Sequence, residues 1–332
     1  MSPIAPVLLI FFNRPEPTRK VFAAIREAQP RHLILASDGP RPDRPGEAEV
    51  VHRLRRELEK AVDWPCELTL DFAEKNLGCG TRPATAISAA LERYSEVIIL
   101  EDDCVPHSSF FNYCTELLER YRKDPEVMVV SGQSFGGIEP LRDADYYFSR
   151  YPHTWGWATW QRAWQHFQLH LEGLDKEYRS GVWNLIFADH PRMAKVWYRR
   201  WKWCQGEEKL SAWDFQWVYA CLRQGGLSVA PTRNLVENIG FGEDATHTRV
   251  AADFDAKPRE GVSFPLRHPA TIQRDSERDR AIAKRYFEYN EWAYQARRIL
   301  RILLPSPVKQ RFHRWRERRA SRGEGSAGQS AR

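Results

Sequence analysis

Val97-Ile98-Ile99-Leu100-Glu101-Asp102-Asp103 is an apolar run that closes on three consecutive carboxylates. A run this short, cut off by charge, reads as a buried strand with an acidic carboxyl end. Toward the N-terminus the same pattern recurs. Residues 7–12 form an apolar run stopped by Asn13-Arg14-Pro15, and residues 32–36 another stopped by Ser37-Asp38-Gly39-Pro40. Residues 68–72 read as a third strand, with Asn76 following. Helical periodicity fills the gaps: residues 17–28 place Val21, Phe22 and Ile25 on one face, and residues 47–61 do the same with Val50, Leu54 and Leu58. Residues 83–93 continue the alternation. Buried strands separated by helices predict an α/β fold, a mostly parallel sheet covered by helices on both faces.

Beyond the acidic triplet the spacing predicts a helix over 110–121 and a strand over 127–130. Helices follow at 159–170, 182–187, 191–202 and 213–224, with a short strand at 227–230. Residues 231–265 are rich in loops. An amphipathic helix is expected over 277–304, ended by Pro305-Ser306-Pro307.

The formal net charge of +6 is unevenly spread: residues 297–319 hold nine Lys or Arg against one acidic residue, Glu317. The rest is close to neutral, so the basic balance describes the tail and does not make the chain a nucleic-acid binder. Within 297–319 aliphatic and aromatic residues, Phe312 and Trp315 among them, interleave with the basic ones. Such a segment fits an anchor on an anionic membrane surface, or more plainly a docked helix with a solvated basic end. Residues 320–332 are rich in Ser, Gly and Ala and are expected to be disordered. The six cysteines include no C-x-x-C pair, and 7–12 is too short for a signal sequence. With no apolar stretch of the roughly 20 residues a span needs, the expectation is a cytoplasmic protein, peripheral at most on the inner face of the membrane. Many of the 13 tryptophans fall between Trp155 and Trp217. A flat apolar ring stacks on a sugar face, and it also fills a core.

Adjacent carboxylates repel one another unless a cation neutralises them. A hard divalent ion, Mn²⁺ or Mg²⁺, shared with a diphosphate is the natural partner of Glu101-Asp102-Asp103. The plainer reading is a solvated acidic turn. In open parallel sheets ligands bind beyond the carboxyl ends of the strands, where Arg14, Asp38, Asn76 and the triplet all fall.

Asn76-Leu77-Gly78-Cys79-Gly80, then Ile98 through Pro106 with Phe110-Phe111, resembles the bacterial GT-A glycosyltransferases and, more distantly, N-acetylglucosaminyltransferase I. Asn13-Arg14-Pro15, Ser37-Asp38-Gly39, Trp155 through Trp160, Trp213-Asp214 and Asn238-Ile239-Gly240-Phe241-Gly242 are similar to the same group. The likeness covers roughly residues 5–250. It implies a GT-A (Rossmann-like) nucleotide-diphospho-sugar transferase fold with a helical C-terminal extension. The nucleotide-sugar part would span 1–150 and the acceptor part of the same domain 151–265, followed by the basic helical extension 266–319 and the tail.

The resemblance further implies that Asp103 ligates the metal directly, with Asp102 and His247 beside it, and that Glu101 and Asp102 contact the sugar nucleotide. Asp38 would accept a hydrogen bond from uracil, Arg14 would touch the nucleotide, and Asn76 would belong to the same site. Each has a bland counterpart, a turn Asp or a surface Arg. Arg82, near a helix start after Gly78 and Gly80, is placed to meet a phosphate or the donor sugar. Trp157 and Trp213 would line the acceptor site. Glycosyl transfer with inversion needs one carboxylate to take the acceptor proton, and the candidate is Asp214, which could equally cap a helix. The implied function is metal-dependent inverting transfer of a sugar, from a UDP-sugar above all, to a glycan or lipid-linked glycan. The competing classes are a metal-dependent nucleotidyltransferase or phosphohydrolase, and a non-catalytic carbohydrate-binding module.

Overall fold

The computed structural model describes residues 3–134, 141, 143–206, 212–240 and 258–288. The chain divides into a unit Met1–Ile282 and a second unit Ala283–Arg332, of which the short helical segment Ala283–Glu288 is described. Residues 266–282, assigned from sequence to the C-terminal extension, belong to the first unit. The basic segment 297–319 lies outside the described residues. No described helix is long and apolar enough to cross a membrane, and no disulfide joins the cysteines.

The first unit opens with β1 (Val7–Phe11), α1 (Pro15–Ala28), β2 (His32–Ser37), α2 (Glu47–Ala61), β3 (Glu67–Phe72), α3 (Gly78–Arg93) and β4 (Glu96–Glu101). β5 (Cys104–Pro106), α4 (Ser109–Arg120), β6 (Val127–Ser131), β7 (Tyr146–Ser149) and β8 (Trp157–Trp160) follow. Short helices α5 (Gln161–Trp164), α6 (Leu174–Ser180) and α7 (Val182–Ile186) lead to α8 (Arg192–Gly206) and α9 (Asp214–Arg223). β9 (Leu227–Pro231), β10 (Val236–Asn238) and α10 (Ser276–Ile282) complete it. The sheet order is β3-β2-β1-β4-β8-β6-β9-β7. β3, β2, β1 and β4 pair in parallel, as do β6 and β9, while β8 and β7 run against their neighbours. The architecture is mixed α/β with a mostly parallel sheet flanked by helices, compatible with a Rossmann-like fold.

Alternation along the strands feeds two cores. Val7, Leu9 and Phe11 join Ile98 and Leu100 under α1, α2 and α4. Leu8 and Ile10 join Val97 and Ile99 under α3, α5 and α9. Because β1 is buried on both faces, its sequence is a continuous apolar run, and each such side chain contributes about 1.5–3 kcal/mol.

One expected element is corrected. Residues 159–170 do not form a single helix: Trp157–Trp160 is a strand inserted between β4 and β6, and only Gln161–Trp164 is helical after it. Trp160 sends its ring N–H to the Leu118 carbonyl at 3.1 Å and Thr159 bonds the Met128 carbonyl at 2.8 Å. Pairing on both edges outweighs the local helical pattern.

Candidate functional site

β1, β2 and β4 end level with one another, since Phe11 pairs with Ser37 and Ile10 with Glu101. The chain leaves β1 toward β2 on one side, and β4 joins β1 from the other. This edge is therefore the topological switch point at which open α/β sheets take ligands. A cleft of about 870 Å³ opens there. Its walls carry Arg14 from the turn after β1, Asp38 from the end of β2, Asn76 and Arg82 from the start of α3, and Glu101 and Asp102 from the end of β4. The six residues read from sequence as nucleotide-sugar contacts share one cavity.

Arg14 spans the switch point. Its guanidinium forms ion pairs with Asp102 and, at 2.8 Å, with Asp103. Burial alone would lower its pKa, but the two carboxylates outweigh it and the shift is upward. Burial pushes Asp102 up to about 6 even with Arg14 beside it. Glu101 rises well above the usual carboxylate range, from burial first and then from the charges of Asp103, Asp102 and Asp214. Asp102 and Asp103 share one arginine, so the pair keeps an excess of negative charge that a cation would relieve. Among the described residues no group of three or more His, Cys, Asp or Glu side chains is arranged to hold a metal by itself. His247 lies outside the described residues.

The uracil-reading role expected of Asp38 meets an obstacle. Its carboxylate accepts from Gly39 N and Leu77 N at 2.8 Å through Oδ1, and from Gly78 N at 2.9 Å and Asn76 Nδ2 at 3.1 Å through Oδ2. A carboxylate offers about four lone-pair sites, and all are taken. Asp38 is instead the clasp that returns the 76–78 turn to the end of β2. Gly39 lets that turn pass, because a Cβ there would lie 2.7 Å from Lys75 N. Gly78 opens α3 at φ +81, a conformation open to glycine. Asp38 is 6% exposed, so Asp38→Ala strands buried donors. We expect it to lower unfolding free energy by about 1–3 kcal/mol, read from urea denaturation; an unchanged midpoint would remove the clasp role.

Arg82 is likewise committed. Its guanidinium donates to the Asp71 carbonyl at 2.5 Å and to Ser37 O at 3.3 Å, and pairs with Asp71 Oδ2 at 2.8 Å. It braces the ends of β2 and β3 while presenting one side to the cleft.

Asp214 is the first residue of α9, with Trp213 at the cap position. It does not line the cleft, yet its charge acts on Glu101 and Cys79. Alternation along β4 explains the proximity: Val97, Ile99 and Glu101 face the side covered by α3 and α9. Trp157 and Trp213 are buried, at 0% and 4% exposure, and stack at 5.6 Å within a cluster that includes Trp164 and Trp217. Rings enclosed in this way serve packing; the acceptor platform expected of them is not exposed.

The cleft also holds residues that the sequence reading passed over. Arg41 lies over the Phe12 ring at 5.5 Å and pairs with buried Glu47, which also accepts from Asn13 Nδ2 at 2.8 Å. Lys20 lines it too, as do Cys79, Ile239 and Gly240, which belong to motifs already quoted from the sequence. Arg41 follows the end of β2, whereas Lys20 sits within α1 and carried no signal.

No family model matches the chain, and no curated protein matches it. Among solved structures, the crystal structure of HddC from Yersinia pseudotuberculosis is similar to it at 12% identity and a TM-score of 0.31, over 52% of this chain and 86% of that one. A likeness of that size carries no conclusion about activity, and the α/β architecture stands on the sheet and helices themselves.

Proposed function

We propose that the protein is a metal-dependent glycosyltransferase of the GT-A type, transferring a sugar with inversion from a nucleoside diphosphate donor to a glycan or lipid-linked glycan. A UDP-sugar is the first donor to test, on the strength of the sequence resemblance; Asp38, whose carboxylate is already occupied, does not supply the reason. The observation that carries the reading is the pairing of Arg14 with Asp102 and Asp103 at the switch-point cleft, which Arg14, Glu101 and Asp102 line. Two hard carboxylates, Asp102 and Asp103, suit Mn²⁺ or Mg²⁺ that draws its other ligands from a diphosphate and water. When bound, the ion supplies charge compensation on the departing diphosphate.

The chain's own residues do the rest. Arg14 and Lys20 bring positive charge to the diphosphate side of the cleft. Asp214 accepts the proton of the acceptor hydroxyl as its oxygen bonds to the anomeric carbon. The bond from that carbon to the diphosphate oxygen breaks, and its electron pair leaves with the nucleoside diphosphate. Proton transfer accompanies attack, because a sugar hydroxyl is far less acidic than a carboxylic acid.

A thermal-shift screen of nucleotide sugars with and without Mn²⁺ tests the proposal. A ligand at 100 times its Kd stabilises by about 2.7 kcal/mol, so a true donor raises Tm, and only with the ion present. Stabilisation by nucleoside triphosphates in preference to any nucleotide sugar would move the assignment to a nucleotidyltransferase.

A further inference from the structure

Asp103 is gripped from a second side, by a segment 135 residues further along the chain. β10 pairs antiparallel with β5, setting Asn238 opposite Cys104. Just past that pair, Ile239 N donates to the Asp103 carbonyl at 2.8 Å. Asn238 is 8% exposed, and both ends of its amide are used. Nδ2 makes a long hydrogen bond of 3.4 Å to Asp103 Oδ1, and Oδ1 accepts from Gly240 N at 2.8 Å.

Gly240 then presses on the carboxylate itself. A Cβ at this position would lie 2.7 Å from Asp103 Cγ and 2.9 Å from its Cβ, and would overlap Oδ2. Gly240 is not among the glycines with positive φ, so space, and not backbone freedom, excludes a side chain. The Asp103 carboxylate is thus held by Arg14 at Oδ2 and by Asn238 at Oδ1, with Gly240 close against it.

We infer that Asn238 and Gly240 are positioning residues for Asp103, fixing the direction in which its carboxylate meets the metal and diphosphate. The inference rests on the proposed reading of the cleft. Neither residue needs to touch the ligand to matter. Outer partners of metal-binding carboxylates typically govern metal affinity by 10- to 100-fold, because a rotated carboxylate leaves the ion with a poorer ligand geometry.

Two measurements on the full chain test it. The first is calorimetry of UDP with and without Mn²⁺ for Asn238→Ala and Gly240→Ala. We expect the Mn²⁺-dependent affinity to fall by roughly 10- to 100-fold in each, with Mn²⁺-independent binding little altered. A purely structural role would not separate the two. Variants that bind UDP–Mn²⁺ as the wild type does would overturn the inference.

The second is a melting cycle of Gly240→Ala, Asp103→Ala and the double variant, which needs no ligand. If Gly240 is kept bare by the carboxylate, the alanine there lowers Tm in the wild type and lowers it less once Asp103 is alanine. Equal losses in both backgrounds overturn the contact. Should Gly240→Ala fail to fold, Asn238→Ala carries the calorimetric test. A wild type without Mn²⁺-dependent UDP binding would remove UDP as the donor nucleotide, and the melting cycle would still decide whether Gly240 holds Asp103.

Discussion

Asp214→Asn is expected to lower kcat by roughly 10²–10⁴-fold, the usual contribution of general acid–base catalysis, and to leave UDP-sugar affinity nearly unchanged. Asparagine keeps the size and polarity of the side chain and removes its basicity. Asp214 begins α9, whose cap position is Trp213 with no side-chain cap hydrogen bond to lose, so the helix should survive. The charge of Asp214 is felt by Glu101 and by Cys79 in the cleft wall, which sets this carboxylate near the cleft without making it part of the lining. Steady-state kinetics with a working donor and acceptor decide the matter. Near-normal turnover would shift the role to another carboxylate, with Glu207, Glu208 and Asp244 next in line; all three lie outside the described residues.

The second large effect is expected of Asp103→Asn. Loss of a direct ligand should weaken Mn²⁺-dependent UDP binding by more than about 100-fold, beyond the cost of disturbing an outer partner. Circular dichroism should show an intact fold, because asparagine fills the same space against Gly240. The substitution also leaves Arg14 with one carboxylate, Asp102, where it had two. The cleft becomes less negative, and simple nucleotide binding without the ion is expected to hold or improve. Unchanged calorimetric affinity in the presence of Mn²⁺ would remove Asp103 from the metal site.

How much of this was legible beforehand depended on the distance over which the information is written. β1, β2 and β4 are apolar runs with helices between them, so periodicity sufficed to find them, although β4 pairs with β1 across a long stretch of chain. The cleft residues were legible for the same reason: Arg14, Asp38 and Glu101 each stand where a buried strand stops. β8 was not legible. Trp157-Ala158-Thr159-Trp160 is buried on both faces, so it has no alternation to detect, and its partners lie tens of residues away in β4 and β6. The tryptophans misled in a related way. A ring suited to a sugar face is equally suited to a core, and only the stacking of Trp157 on Trp213 distinguishes the two uses. With Asp38, sequence gave the carboxylate and its place at the rim. It could not give the return of the 76–78 turn, whose amide groups consume the carboxylate before any base arrives.

The position of β8 has a consequence for how the molecule is made. In the half-sheet β3-β2-β1-β4 the pairs β1-β2 and β2-β3 join neighbours in sequence, which close short loops and form early, while β4 returns past both to pair with β1. During synthesis this half can assemble while Trp157–Trp160 is still to come. Until β8 docks antiparallel onto β4, the edge of β4 is bare, and it is the apolar run Val97, Ile98, Ile99 and Leu100. An unpaired apolar edge is a template for pairing with another chain. The stage between the emergence of β4 and the arrival of β8 is therefore the moment of greatest exposure to aggregation. Substitutions that slow the docking of β8 should reduce the yield of soluble protein well before they reduce the stability of the finished fold.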